Sequence, residues 1–130
     1  MNKNTYIISA VVVILVLGGL GYYAYTKPSK PNPLDPFAQC INDTGTIFYG
    51  AFWCPHCQNQ KKMFGSAEKL LPYIECSTPD AKGQTEECKD KGVTNYPTWV
   101  FPDTSVQTGE VSLAELAAKT GCVLPSQDVK

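Results

Sequence analysis

The sequence predicts an α/β domain carried behind a single apolar N-terminal helix. Three observations point there. Residues 5–25 hold no charged side chain and include the run Ala10-Val11-Val12-Val13-Ile14-Leu15-Val16-Leu17. An aromatic and β-branched stretch, Thr46 to Trp53, leads into Cys54-Pro55-His56-Cys57, and apolar residues at helical spacing follow. Near the C-terminus, Ser112 with Glu115 three residues on forms a capping box for a last helix that Gly121 closes.

Length and composition bound the rest. The 130 residues allow one domain. All 11 basic residues are lysine, and all 12 acids lie beyond residue 30, where 8 lysines remain, so that part carries a net charge of −4. A mildly acidic domain without arginine, and without a basic stripe interleaved with aromatics, is a poor nucleic-acid binder, and no such partner is expected. Six cysteines in so short a chain argue for an oxidising compartment.

At about 1.5 Å per residue, residues 5–25 reach roughly 30 Å, the thickness of a bilayer's hydrocarbon core. Tyr22, Tyr23 and Tyr25 would make an aromatic belt at the far end. Residues 1–26 are therefore read as a membrane anchor. A cleaved signal peptide is the competing reading, with Gly19 and Gly21 as small residues but no Ala-x-Ala. Lysines stand on both sides of the span, so charge does not orient it, whereas the cysteines place the domain outside the cytosol. Residues 27–36 carry four prolines in ten positions and read as a semi-rigid spacer, either a plain tether or one that keeps the domain within reach of a membrane neighbour.

The domain is expected over residues 37–123, with 124–130 as a tail. Phe37 to Asp43 is a short helix, ended by Asn42-Asp43-Thr44-Gly45. Thr46 to Trp53 is a buried strand. Gln58 to Leu71 is one helix, with Met63, Phe64, Ala67, Leu70 and Leu71 at helical spacing. Pro72 to Cys76 is a second strand. After polar residues 77–85 comes a small helix around Glu86 to Lys91, closed by Gly92. Val93 to Phe101 reads as a strand interrupted by Pro97, which needs a reason, because proline breaks a ladder away from edges and bends. Val106 to Thr108 is a hairpin arm, and Leu113, Leu116 and Ala117 face inward from the last helix.

The chemistry concentrates at the junction of strand and helix. Pro55 suits a first helical turn, where its missing N–H is no loss. Cys54 then faces unpaired amides and the positive end of the helix dipole, both of which favour a thiolate, the nucleophile of disulfide exchange. Cys57 lies one turn later, close enough to close a small ring. Two other readings compete: half of a zinc site completed by Cys76 and Cys88, and a structural disulfide, which so short a loop would stabilise little.

Taken together, Phe48-Tyr49-Gly50-Ala51-Phe52-Trp53-Cys54-Pro55-His56-Cys57-Gln58, Tyr73-Ile74-Glu75-Cys76, Glu87-Cys88, Tyr96-Pro97-Thr98-Trp99 and the Ser112–Gly121 helix resemble the thioredoxin fold. Within it they are most similar to the thioredoxin-like domain fused to, or partnered with, vitamin K epoxide reductase homologues. The resemblance covers residues 37–122. It implies a central mixed sheet flanked by helices, a cis bond before Pro97 with Pro97 lying against the dithiol, Cys54 as an exposed attacking thiol and Cys57 as the resolving one. His56 matches strongly oxidising DsbA-like proteins and would stabilise the Cys54 thiolate; a general base or an inert surface group are its other readings. One departure stands out. Thioredoxins carry a buried acid six residues before the first cysteine, and here that residue is Phe48, with Glu75 or a water left as possible substitutes.

With Cys54 and Cys57 as the redox pair, three pairings of the other four cysteines remain. Cys76–Cys88 is expected across the turn-rich segment after Cys76, a pair the resemblance supports, and Cys40–Cys122 would staple the domain's ends. The activity implied is that of an extracytoplasmic, single-pass thiol–disulfide oxidoreductase. It would oxidise client thiols and be reoxidised by an integral membrane partner related to vitamin K epoxide reductase. Any quinone would be that partner's cofactor; this chain is expected to need no cofactor and no metal. A disulfide reductase is the alternative within the same chemistry, and a non-catalytic docking module the alternative outside it.

Overall fold

Phe48 sets the plan of the domain. It stacks on Trp99 at 4.5 Å between ring centroids and meets the edge of Tyr73 at 5.1 Å, so one aromatic row crosses three strands. A computed structural model describes residues 2–26 and 31–126. Its four-stranded sheet has the order β2-β1-β3-β4. Strand β1 (Ile47–Gly50) pairs in parallel with β2 (Tyr73–Glu75) and antiparallel with β3 (Thr98–Val100), which pairs antiparallel with β4 (Val106–Thr108). Phe48 stands opposite both Tyr73 and Trp99, and Tyr49 opposite Ile74 and Thr98. Because side chains alternate along a strand, this register sends the aromatic row to one face and Tyr49 to the other.

Each face has its own cover. On the Phe48 side, α2 (Asp35–Asp43) contributes Phe37, Ala38 and Ile41, α5 (Leu113–Thr120) contributes Leu116, and Phe64 stacks on Phe37 at 5.9 Å. On the Tyr49 side lie Val93 and the Cys76–Cys88 disulfide, whose second half sits in α4 (Glu86–Asp90). A second disulfide joins Cys40 in α2 to Cys122 just beyond α5. A mixed sheet with helices on both faces, in this order, is the thioredoxin-like fold.

Several boundaries differ from those expected. Strand β1 is half as long, because the chain turns at Ala51, whose carbonyl accepts the Cys54 N–H at 3.0 Å. Phe52 and Trp53 are consequently 47% and 49% exposed instead of buried. The helix expected over Gln58 to Leu71 is two pieces, α3 (Pro55–Lys62) and a 3₁₀ helix, Gly65–Leu70. Gly65 adopts φ +56°, which an α-helix cannot contain, and the Phe64 carbonyl is taken by the Asn32 side-chain amide at 2.9 Å. Met63 is thereby turned toward solvent. Val93 to Pro97 lie outside the sheet, so Pro97 breaks no ladder; it precedes β3, and its carbonyl accepts the Gly109 N–H at 2.8 Å.

The compact unit begins at Asn32, ahead of the boundary at residue 37, since Asn32 caps the Phe64 turn and Leu34 enters the core. Leu124, placed in the tail, packs on the same core. Residues 27–30 of the spacer and 127–130 of the tail lie outside the described residues. Ser112 caps α5 by accepting the Glu115 N–H at 3.2 Å. The Glu115 carboxylate does not complete the box and instead accepts from Gln107 at 2.8 Å. The N-terminal unit is one helix, α1 (Lys3–Thr26), and its residues Tyr6–Thr26 are long and apolar enough to cross a membrane.

Candidate active site

Cys54 occupies the N-cap of α3, with Pro55 in the first turn behind it. Its backbone is extended (φ −77°, ψ 119°) and no side chain caps the helix, so the sulfur sits where the first amides of α3 are free and the helix dipole is positive. Cys57 follows one turn later. Both are free thiols here, and they are the only free ones among the described residues. Cys54 is 5% exposed and Cys57 1%, so the expectation of an exposed Cys54 is corrected: it is the more open of two covered sulfurs. The cover comes from the segment before β3. Cys54 Sγ donates to the Tyr96 carbonyl at 3.7 Å, Tyr96–Pro97 is a cis bond, and the Pro97 side chain is fully buried.

The two thiols differ in electrostatics. Burial pushes Cys57 up to about 12, reinforced by a hydrogen bond and charge from Cys54, and opposed by a backbone hydrogen bond at Ala51 and the Lys61 ammonium. A sulfur so placed stays protonated at neutral pH, which makes it a poor first nucleophile in an exchange.

The other residues named from sequence fall into two groups. His56 and Pro97 stand at the dithiol, His56 on the solvent side with its Nδ1 2.7 Å from Glu110 Oε1. Cys76, Cys88, Cys40 and Cys122 are tied in the two disulfides described above, which leaves Cys76 and Cys88 unable to complete a zinc site with the dithiol. The Cys76–Cys88 bridge nonetheless reaches the site through Ser77, whose Oγ accepts the Trp53 indole N–H at 2.8 Å. Trp53 meets the edge of Tyr96 at 6.1 Å, and beside them a groove of about 420 Å³ runs along Ala81, Lys82, Gln84 and Thr94.

Sequence reasoning missed Gln60 and Glu110. Gln60 is fully buried on α3 and pairs with Val111 as one peptide group pairs with another, its Oε1 accepting the Val111 N–H at 2.6 Å and its Nε2 donating to the Val111 carbonyl at 2.9 Å. This clamp holds the preceding residue, Glu110, against His56 and Asn59. A polar residue one turn beyond Cys57 on a buried face was the available signal, since such a group requires a partner. Nothing local marks Glu110, 54 residues from His56.

No family model matches the chain. The chain is similar to the thiol-disulfide oxidoreductase LTO1 of Arabidopsis thaliana, with 46% identity over 107 residues, or 78% of this chain. It spans 28% of the length of that relative, which is therefore a much larger protein matched by one part.

Proposed function

We propose that this chain is a membrane-anchored thiol–disulfide oxidoreductase that works outside the cytosol and oxidises client thiols through a Cys54–Cys57 disulfide. The observation that carries this reading is the sorting of the cysteines. Four are consumed in two disulfides, and the remaining pair is set at a helix start with one sulfur deep and one at the rim. The similarity to a curated thiol-disulfide oxidoreductase supports the same chemistry.

In the oxidising direction a client thiolate attacks Cys54 Sγ. The Cys54–Cys57 bond breaks, Cys57 leaves with the bonding pair and takes up a proton, and a client–Cys54 mixed disulfide remains. A second client thiolate attacks the client sulfur of that bond, expelling Cys54 as a thiolate. The client has lost two electrons and the dithiol has gained them. Helix α3 favours the Cys54 thiolate as leaving group, and His56, beside it, would add to that effect. The groove along Trp53 and Tyr96 gives a client segment a place to lie next to Cys54. Reoxidation would fall to a membrane protein related to vitamin K epoxide reductase, whose own disulfide accepts the two electrons. Two structural disulfides support an oxidising compartment outside the cytosol for the domain, and Tyr6–Thr26 would hold it at the membrane beside that partner.

The test is trapping in native membranes. Cys57→Ser should accumulate mixed disulfides with clients and with the membrane partner, because a Cys54 bonded to either then has no Cys57 beside it to release it. Cys54→Ser should accumulate none; partners captured by Cys54→Ser but not by Cys57→Ser would reverse the roles.

A further inference from the structure

Cys57 must gain or lose a proton each time the disulfide opens or closes, yet it is 1% exposed and water does not reach it freely. Strand β2 holds the groups that answer this. Tyr73 and Glu75 lie two residues apart on one face, opposite Phe48 and Gly50 of β1. The Tyr73 hydroxyl donates to Glu75 Oε2 at 2.8 Å. Glu75 Oε1 accepts the Ser77 N–H at 2.8 Å and the Phe52 N–H at 3.2 Å, so the carboxylate is fixed in place while remaining half-buried, within reach of solvent.

Gly50 joins this pair to the dithiol. A β-carbon at Gly50 would stand 2.7 Å from Tyr73 Cε2, 2.9 Å from Cys57 Sγ and 3.4 Å from the Tyr73 hydroxyl oxygen. The phenol and the sulfur therefore face the same small space, which only a residue without a side chain leaves open. Lys61 Nζ lies 3.3 Å from the centre of the Tyr73 ring, a cation–π contact that holds the ring and brings a positive charge near Cys57. Burial and the Glu75 hydrogen bond both hold Tyr73 well above the ordinary tyrosine range, so its hydroxyl passes a proton on without being left ionised.

We propose that Tyr73 and Glu75 are the proton relay of Cys57. When the disulfide closes, the Cys57 S–H proton moves to the Tyr73 oxygen as the Tyr73 O–H proton moves to Glu75 Oε2. The Cys57 thiolate then attacks Cys54 Sγ and expels the client sulfur as a thiolate. When the disulfide opens, Cys57 leaves with the bonding electrons and takes the Tyr73 proton, which the Glu75 carboxyl replaces. Electrons stay on sulfur; only a proton crosses the relay, and Glu75 exchanges it with water. The relay rests on the reading of Cys54 and Cys57 as the redox pair and holds for either direction of electron flow.

The experiment uses the full chain, reduced, in detergent, mixed with Ellman's reagent in a stopped-flow instrument. A first release of thionitrobenzoate reports attack by Cys54, and a second reports attack by Cys57 on the Cys54 mixed disulfide. Tyr73→Phe keeps the ring under Lys61, and Glu75→Gln keeps an oxygen for the Ser77 and Phe52 amides. Both should slow the second release by about 100-fold, the low end of general acid–base effects. The second release should then rise in proportion to hydroxide, while the first keeps its wild-type rate. An unchanged second release in both variants overturns the relay, and so does equal slowing of both releases. A wild-type protein with no second release overturns instead the dithiol reading beneath it.

Discussion

His56 Nδ1 and Glu110 Oε1 are 2.7 Å apart, a contact between the residue inside the dithiol motif and a loop residue just ahead of α5. The pair exists because buried Gln60 clamps Val111 and so fixes its neighbour. His56, largely exposed, is thus tethered to an acid that lies far off in the chain.

That contact fixes a titration. The hydrogen bond from His56, followed by that from Asn59, holds the Glu110 carboxyl below its ordinary 4.5. The depressed value means the ionised form is the one stabilised. Its contribution is therefore present above about pH 4.5 and is lost as pH falls through the lower folded value. In His56→Ala the Glu110 carboxyl should titrate back toward 4.5, read from its side-chain carbon shifts by NMR; an unmoved titration would show that the contact does not form in solution.

Cys57 should resist alkylation. In Cys54→Ser the charge and hydrogen bond of Cys54 are gone, but burial, the largest cause of the raised value, remains. The Cys57 thiolate should still appear only above pH 9.0, the ordinary value for a thiol, when followed by ultraviolet absorbance or iodoacetamide reaction against pH. Rapid labelling at neutral pH would mean that the sulfur is not covered.

The two disulfides should act as unequal staples. Cys40–Cys122 closes a separation of 82 residues and Cys76–Cys88 one of 12. Under the chain-entropy model their removal by paired Cys→Ala changes should cost about 4.5 and about 3 kcal/mol respectively, read from urea unfolding. Cys76 and Cys88 are both fully buried, whereas Cys54 is the more open sulfur of the dithiol and sits at a helix start, so mild reductant should open Cys54–Cys57 and leave that bridge intact. Simultaneous opening would make Cys76–Cys88 an electron relay instead.

What the sequence makes legible here is what local chemistry dictates. Pro55 after Cys54 announces a helix start, Ser112 with Gly121 brackets α5, and an apolar run before the cysteines announces a strand. The length of that strand was not legible, because Phe52 and Trp53 are as apolar as Phe48 but lie beyond the turn at Ala51. The break at Gly65 was hidden too: Met63 and Phe64 fit the helical spacing, and the group that ends the helix, Asn32, sits in the proline-rich stretch taken for a linker. The lining of the site is illegible for the same reason. Glu75 was named from sequence as a possible acid near the dithiol, but Tyr73 beside Cys57 and Glu110 on His56 are placed by sheet register and a side-chain clamp, neither of which has a local pattern.

The central claim is that Cys54 and Cys57 form an oxidising pair, and the reduction potential of the full chain tests it most directly. Equilibration against glutathione, with free and bonded Cys54–Cys57 separated by mass, gives the value. The start of α3 favours a thiolate at Cys54, and under the proposed reading His56 would add to this and so stabilise the reduced form; the potential should then lie toward the strongly oxidising end, about −120 mV, and His56→Ala should lower it. A wild-type value of about −270 mV, the level of a general reductant, would contradict the claim and turn the direction of electron flow around.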